Sequence, residues 1–239
     1  STSELSAYST TLSSDEIAAT ASSLAKTGTY NIEVVSLACQ QKDVADEGFT
    51  DTTTADLSGS MTIGEETLEY EDVSLSDLVE LINDGEYGVT ASLLNDGTEN
   101  GYRMVLTADQ SGTEIDIVAT GSITLNTVTD GHTRDGSKAH IVVDNVDIYS
   151  TSNIIDTAVN GVTLDLMDVT GTDETITLTV GLDSDAIVEK VESFVTAYND
   201  VIAYISDQSK TDWGSDSEFR NVKRSLQNQT AATAPTTSA

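Results

Sequence analysis

The chain has 239 residues, and its 41 aspartates and glutamates outnumber its 10 lysines and arginines, giving a formal net charge of −31. This charge excludes a nucleic-acid backbone as the main partner, because phosphates are bound by clusters of lysine and arginine. It disfavours anionic lipid for the same reason. Membrane insertion is not expected either, since no apolar run approaches the roughly 20 residues that a membrane helix needs.

The composition favours strands and turns over long helices. Hydrophobic residues make up 38% of the chain and aromatic residues 5%, which is low for a globular domain but above the disordered range. The single cysteine, Cys39, cannot form an internal disulfide. Because carboxylates so greatly outnumber basic groups, we expect strong self-repulsion at low salt, and therefore a saline setting or screening by divalent cations.

Residues 1–26 are predicted to be helical, because Leu5, Tyr8 and Leu12 are spaced three and four residues apart, although serine and threonine crowd the segment. Apolar and polar residues then alternate through Tyr30, Ile32 and Val34, which is typical of a half-buried strand. The polar segment 43–60 is predicted to be a loop.

The next tract, residues 61–106, is predicted to hold strands around one short helix. Leu75, Leu78 and Ile82 mark one face of that helix, with Ser74 or Ser76 as its cap. Residues 89–106 form a predicted hairpin with a turn at Asn95–Gly97. Residues 153–163 resemble 76–90 in spacing, which predicts a second copy of a helix–glycine turn–hairpin unit. Between the copies, the turn-rich segment 126–137 is interpreted as a hinge.

Residues 183–207 give the clearest predicted helix, with acidic residues in its first turn and apolar residues at heptad spacing. This face either packs on a neighbouring helix of the same chain, for which residues 3–24 are the candidate, or meets another subunit. The candidate interface residues are Ile187, Val191, Phe194, Val195, Tyr198, Val201, Ile202 and Ile205.

The carboxyl-terminal segment holds a second predicted helix, from about residue 215 to 227. Its basic residues Arg220, Lys223 and Arg224 are candidate charged contacts, with an ordinary solvated face as the alternative. Residues 229–239 are predicted to be a flexible tail.

No catalytic constellation is recognisable in the sequence. His132, His140 and Cys39 are not accompanied by a nucleophile, zinc or thiol-protease motif, so we interpret the histidines as surface residues and the cysteine as a small buried one. The oxygen-rich loops at 95–100 and 165–174 lack the EF-hand spacing and are interpreted as solvated turns. A paired-carboxylate glycosidase is disfavoured because aromatic residues, which usually line sugar clefts, are scarce. We therefore expect no enzyme activity, no metal and no cofactor.

Four tracts carry a family resemblance. They are GTYNIEVVSLACQQ (28–41), SLSDLVELIN with GVTASLLNDGTENGYRMVLT (74–83 and 88–107), AHIVVDNVDIYSTSNIIDTAVNGVTLDL (139–166), and the tract 175–205 with FVTAYND at 194–200. In this order they resemble the bacterial flagellar filament-capping proteins, the FliD family. Asn145 stands where the family's turn has a glycine.

The resemblance implies a structural assembly factor that caps the distal end of the flagellar filament and promotes flagellin polymerisation. It implies a ring-like homo-oligomer, flagellin subunits as partners, and an extracellular location at the flagellar tip after export through the flagellar channel. The family's coiled-coil legs extend beyond the head, so the resemblance also implies that this chain is a truncated head-plus-upper-leg fragment.

The expected fold class is α+β, with two small β-rich lobes on a helical base formed by the two chain ends. Residues 1–26 and 184–228 form the expected helical leg domain, 27–46 and 138–183 one β-rich head domain, and 47–128 a second head domain inserted into it. The alternative is two sequential lobes, 27–128 and 138–183.

Two other functions remain open at this point. One is a surface adhesin or carbohydrate-binding β-domain protein, which the shortage of aromatic residues weakens, although adhesion is compatible with a cap as a secondary role. The other is a hook–filament junction protein or a flagellin variable region, which predicts long flanking heptads.

Overall fold

The computed structural model describes residues 6–125, 133–172 and 174–208, together with residues 221, 222, 224, 225 and 228. The chain divides into two compact units, Tyr8–Gly181 and the combination of Ser1–Ala7 with Leu182–Ala239. The elements in chain order are β1 (Tyr8–Leu12), β2 (Ile17–Ala21), β3 (Gly28–Ser36), β4 (Gln40–Val44), β5 (Leu57–Ile63), β6 (Glu66–Val73), α1 (Leu75–Asp84), β7 (Val89–Asn95), β8 (Tyr102–Ser111), β9 (Ile117–Gly121), β10 (Ala139–Val143), β11 (Val146–Ser150), β12 (Ile154–Val159), β13 (Val162–Leu166), β14 (Ile176–Leu182) and α2 (Ser184–Gln208).

The larger unit contains two hydrophobic cores. One core draws its buried residues from 17–38 and 139–180, and we call the elements around it (β1–β3 and β10–β14) the first lobe. The other core draws its buried residues from 45–123, and we call β4–β9 with α1 the second lobe. The chain thus leaves the first core after Ala38 and returns to it at Ala139.

The first lobe is built from a five-stranded sheet in the order β1-β14-β3-β10-β11 and a three-stranded sheet in the order β12-β13-β2. Antiparallel pairing joins β3 to β10 and β14, β10 to β11, and β13 to β2 and β12. In the β3–β14 pair, Ile32 lies opposite Ile176. Inward-facing positions such as Ile32, Ile141 and Leu178 are fully buried, which is the period-2 burial expected for strands that face one core.

The second lobe is built from two three-stranded sheets, β4-β8-β7 and β6-β5-β9, and the helix α1. Ser74 caps α1, because its Oγ accepts from the backbone N of Asp77 at 3.1 Å. In return, the Asp77 carboxylate accepts from the backbone N of Ser74 at 3.3 Å. This capping box satisfies two otherwise unpaired amides. Leu78 and Ile82 on the predicted apolar face are fully buried.

The predicted α+β class with two β-rich lobes is confirmed, but the predicted helix at the amino terminus is wrong. Residues 8–12 and 17–21 are the strands β1 and β2, and Ile17 is buried in the first core. Serine and threonine lower helix propensity, so the sheet contacts decide the conformation. Residues 1–5, including Leu5, lie outside the described residues.

The predicted repeat is also wrong, because the segment predicted to be its second helix is a strand. Residues 76–83 are helical within α1, but 154–159 form strand β12. The first tract has leucine and glutamate between its matched positions, whereas the second is rich in isoleucine, threonine and valine, which favour strands.

The predicted carboxyl-terminal helix at 215–227 lies mostly outside the described residues. The described positions 221, 222, 224 and 225 are helical.

Candidate functional site

The residues considered for catalysis are held by structural contacts. His140 Nε2 lies 2.7 Å from Asp147 Oδ1, and its ring stacks on Tyr149 with centroids 4.4 Å apart. Cys39 Sγ lies 3.0 Å from Ser137 Oγ. His132 falls outside the described residues. Within 6–125, 133–172 and 174–208, no group of three or more His, Cys, Asp or Glu side chains is placed to hold a metal ion.

The oxygen-rich loop at 95–101 uses its oxygens to build its own turn. Asp96 Oδ1 accepts from the backbone N of Thr98 at 2.9 Å and from its Oγ1 at 2.7 Å. These hydrogen bonds lower the pKa of the Asp96 carboxyl, and Arg103 Nε lies 3.6 Å from its Oδ2. The described loop is therefore a self-contained turn with an arginine partner.

A shallow depression of about 410 Å³ lies on the second lobe where β5 and β6 pair. It is lined by Ser58, Gly59, Ser60, Glu69, Tyr70 and Glu71. Its two carboxylates and its serine hydroxyls offer hydrogen-bonding groups on an open strand surface, but its lining residues include no histidine, lysine or arginine to activate a hydroxyl or to bind an anion.

Two chain crossings connect the lobes, and they are bonded to each other. The segment after Ala38 and the segment before Ala139 form isolated antiparallel bridges between Cys39 and Ser137 and between Lys42 and Arg134. The Arg134 guanidinium donates to the carbonyl of Gln40 through Nε at 3.1 Å and Nη2 at 3.0 Å. The described part of the predicted hinge, 133–137, is thus paired with the other crossing.

Gln41, a buried residue of the first crossing, bonds to the backbone of the second lobe. It is only 7% exposed, its Oε1 accepts from the backbone N of Ile115 at 2.6 Å, and its Nε2 donates to the Ile115 carbonyl at 2.8 Å. The same Nε2 lies 2.8 Å from Asp43 Oδ2. A buried amide with its donors and acceptor satisfied fixes the local backbone, so the crossings form a braced connection.

Side chains from the two lobes also meet directly. Ser111 Oγ donates to the Thr151 carbonyl at 2.6 Å, and a Cβ added at Gly112 would lie 2.5 Å from Thr151 Cα. Gly112 has φ of +75°, so this close approach and the turn both require glycine. Together with the crossings, these contacts hold the lobes in one arrangement.

The predicted apolar face of α2 is largely uncovered. Ile205 is 6% exposed and Ile187, Tyr198 and Ile202 are half-buried. The exposed large apolar side chains on this helix are Val188, Val191, Phe194, Val195, Val201 and Tyr204. The alternative in which residues 3–24 form the packing helix is wrong for 8–12 and 17–21, which are strands, so this face remains a candidate interface.

The start of α2 is well anchored within its own unit. Asp183 Oδ1 accepts from the backbone N of Ala186 at 2.9 Å, and the backbone N of Asp183 donates to the Ala7 carbonyl at 2.9 Å. Lys190 Nζ donates to the Ser6 carbonyl at 2.9 Å. Of the candidate basic contacts, Arg224 is exposed, whereas Arg220 and Lys223 lie outside the described residues. None of the described helices is long and apolar enough to cross a membrane.

Comparison with known proteins decides the family. The family described as "Flagellar hook-associated protein 2 C-terminus" matches residues 136–238. Flagellar hook-associated protein 2 from Thermotoga maritima is 36% identical over 144 residues, covering 56% of this chain and 22% of that protein. The D2-D3 domains of the flagellar cap protein FliD from Escherichia coli have 30% identity and a TM-score of 0.64, and the match covers 74% of this chain and all of that one. The chain belongs to the FliD family.

A larger FliD structure extends this agreement to nearly the whole chain. The D1-D2-D3 domains of the Escherichia coli flagellar cap protein match with a TM-score of 0.79 and 29% identity, over 94% of this chain and 69% of that one. The resemblance recognised in the sequence is confirmed, and these comparisons do not favour the adhesin or junction alternatives. The chain spans between 22% and 47% of the length of the curated relatives it matches.

The residues that brace the FliD-family lobes were not found from the sequence. Gln41 and Arg134 each contact partners more than 70 residues away, and neither lies in a recognisable motif. One weak feature of the sequence could have drawn attention to Arg134, because it is one of only 10 basic residues in a very acidic chain.

Proposed function

We propose that this chain is part of a structural assembly factor that caps the distal end of the bacterial flagellar filament and promotes flagellin polymerisation. The observation that carries the proposal is the match of both β lobes and the helical segment to the Escherichia coli flagellar cap protein over 94% of the chain. The named relatives are flagellar hook-associated and cap proteins, and the proposed role is mechanical, with no chemical step.

The proposed partners are further copies of the protein, in a ring-like homo-oligomer, and flagellin subunits. The proposed location is extracellular, at the flagellar tip, after export through the flagellar channel. The exposed apolar face of α2, with Phe194 59% exposed, supports packing in a helical leg or against a neighbouring subunit, because uncovered apolar surface of this kind favours association.

We also propose the domain assignment in its nested form, with residues 27–46 and 138–183 as one head domain and 47–128 as the inserted one. The two separate cores support it, because the second core lies in sequence between the two parts of the first. The leg domain is proposed for 184–228 without the strand residues 8–21.

Deletion of the gene that encodes this chain tests the cap role. We expect cells without full filaments and with flagellin released into the medium, and we expect the intact gene to restore both. Full filaments and no released flagellin after deletion would contradict the proposal.

Complementation with single variants tests the α2 face. Phe194→Ala should restore filament length less well than the intact gene, whereas Glu192→Ala, on the other side of the same helix, should restore it fully. Both side chains are exposed, and the contact within the chain that Phe194→Ala removes is the stacking of its ring on Tyr198, with centroids 6.4 Å apart. Equal complementation by the two variants would count against α2 as an interface.

A further inference from the structure

The outer edge of β11 presents an unused set of backbone hydrogen-bonding groups. Asp144 and Asn145 join β10 to β11 with φ of 47° and 67°, the backbone of a two-residue type I′ hairpin. In such a hairpin the flanking residues, Val143 and Val146, exchange both hydrogen bonds, and every second pair does so after them. Val146, Ile148 and Ser150 therefore bond to β10, and the N–H and C=O groups of Asp147 and Tyr149 point outward.

Nothing in the described part of the chain covers this edge. β11 is the last strand of its sheet, and among the described residues no backbone hydrogen bond from outside the sheet reaches Asp147 or Tyr149. The β10–β11 register has no shift, and β11 has no proline or lysine, so three devices that block edge pairing, a bulge, a proline and a lysine, are absent from this strand. By contrast, β6 carries Glu66, Glu69 and Glu71 and has a register shift against β5.

The outward groups of β11 are arranged symmetrically about Ile148. If a second copy of β11 runs antiparallel with Ile148 opposite Ile148, each Asp147 lies opposite a Tyr149 of the other strand. Each such pair exchanges two N–H···O bonds, and the two pairs together use all the outward N–H and C=O groups of both residues. We propose that two copies of this chain associate edge to edge through β11, which joins their five-stranded sheets into one.

The charge distribution favours a second copy as the occupant. A chain with net charge −31 repels another copy wherever their carboxylates face each other, so self-association requires a weakly charged stretch. Asp147 is the only charged residue of β11, and its carboxylate is bonded to His140. A basic partner would instead be drawn to the more acidic surfaces.

The side chains of the edge suit an interface as well. Tyr149 is 63% exposed and Val146 is 60% exposed, and the Tyr149 ring is already ordered by its stacking on His140. Exposed aromatic residues that need little further ordering are common anchors of protein interfaces. The symmetric contact closes after two copies, and it goes beyond the proposed cap role because it does not depend on flagellin or a filament.

Sedimentation analysis of the full 239-residue chain tests the proposal. We expect a monomer–dimer equilibrium that strengthens up to about 1 M NaCl, where the Debye length is about 3 Å and repulsion is screened. Tyr149→Pro should raise the dissociation constant roughly tenfold or more, because it removes two of the four N–H donors at the contact. Thr67→Pro is the matched control, since Thr67 also lies at an outward position, on the acidic edge strand β6, and it should leave the equilibrium unchanged.

A pair of charge variants keeps the test decisive if the proline variant does not fold. Tyr149→Glu places a carboxylate opposite Asp147 of the other copy and should abolish the dimer, whereas Tyr149→Lys places an ammonium there and should preserve it. In a Cys39→Ser background, Ile148→Cys should form a disulfide-linked dimer, because directly opposed Cβ atoms lie about 5 Å apart, and Asp147→Cys should not, because its two copies would lie on a diagonal at about 7–8 Å.

Three results would overturn the proposal. One is a monomer at every protein and salt concentration, which would leave the β11 edge without a second copy. Another is a dimer that is unaffected by Tyr149→Glu, which would assign association to another surface such as α2. The third is cross-linking through Asp147→Cys in preference to Ile148→Cys, which would exclude the symmetric register.

Discussion

Asn153 pairs with the backbone of Ala38 as a neighbouring strand would. Its Oδ1 accepts from the backbone N of Ala38 at 2.6 Å, and its Nδ2 donates to the Ala38 carbonyl at 3.0 Å. Ala38 is the last residue of the first core before the chain crosses to the second lobe. A single side-chain amide therefore completes the backbone hydrogen bonds at the point where the lobes separate.

We expect Asn153→Ala to destabilise the protein by about 1–3 kcal/mol, because it leaves the N–H and C=O of a buried residue without partners. Asn153→Asp should also destabilise it, since a carboxylate can accept from the Ala38 N–H but cannot donate to its carbonyl. Urea unfolding monitored by circular dichroism measures both effects. Asn160→Ala is the control, because Asn160 is exposed in the β12–β13 turn. An Asn153→Ala midpoint equal to that of the control would refute the role.

Gly59 lies beside Tyr70 in the β5–β6 pair, at a position where no side chain fits. It pairs with Tyr70 on one side and with Gly121 on the other, and an added Cβ would lie 2.1 Å from the Thr120 carbonyl oxygen and 2.9 Å from Tyr70 Oη. Because the carbonyl belongs to the backbone of β9, we expect Gly59→Ala to destabilise the second lobe by about 1–3 kcal/mol.

Gly181→Ala is the matched control for this substitution. Gly181 also lies in a strand, β14, but nothing lies within 4 Å of its added Cβ. The control should be neutral or stabilising by up to about 1 kcal/mol, because alanine lowers the entropy of the unfolded chain. Thermal unfolding of the two variants should therefore shift in different directions, and a stable Gly59→Ala protein would show that β5 and β9 can separate at no cost.

The long amphipathic helix was predictable from sequence, and the short irregular elements were not. Residues 183–207 were predicted as a helix and α2 spans Ser184–Gln208, because a heptad pattern over more than three turns is a strong local signal. Ser74 and Leu78 likewise identified α1. In residues 8–21, by contrast, the few apolar residues at helical spacing are outnumbered by serines and threonines. Pairing of β2 with β13 and of β1 with β14 therefore determines that these residues form strands.

The brace between the lobes could not be predicted, for a different reason. Asn153 and Ala38 are 115 residues apart, and Gln41 and Ile115 are 74 apart. Polar residues with such partners look like ordinary surface residues in a single sequence, since only the folded chain brings the backbone groups to them. The apolar face of α2 shows the converse case, because its residues are evident from spacing but its partner is not.

Asp43 gives the stability a pH dependence of unusual sign. Burial raises the pKa of its carboxyl, a hydrogen bond from Gln41 opposes this, and the negative charge of Asp135 adds to it. Because the pKa is higher in the folded than in the unfolded chain, ionised Asp43 destabilises the fold at neutral pH, and this effect disappears as the pH falls through the raised pKa to below the ordinary 3.8. We therefore expect Asp43→Asn to stabilise the protein at neutral pH, with a gain that fades in acid.

Asp51 supplies the opposite case for comparison. The backbone N–H groups of Thr53 and Thr54 lower the pKa of its carboxyl, so ionised Asp51 stabilises the fold above pH 3.8, and this contribution is lost as the pH falls through the lowered pKa. Asp51→Asn should destabilise the protein at neutral pH. Urea midpoints across a pH series measure both variants, and shifts of the same sign at neutral pH would refute the assignment.

The charge of the whole chain predicts that salt stabilises the fold. With 41 acidic and 10 basic residues, most carboxylates have no basic partner, and Arg103–Asp96 at 3.6 Å is the one arginine–carboxylate pair in which both residues are described. Screening therefore removes much repulsion and few attractions. We expect the melting temperature to rise between about 0.01 M and about 1 M NaCl, as the Debye length falls from about 30 Å to about 3 Å.

Choline chloride at equal ionic strength should act similarly if screening is the cause, whereas a rise produced only by calcium or magnesium at millimolar concentration would point to specific cation binding. A melting temperature that falls with added NaCl would show that ion pairs, rather than repulsion, dominate the electrostatics of the folded chain.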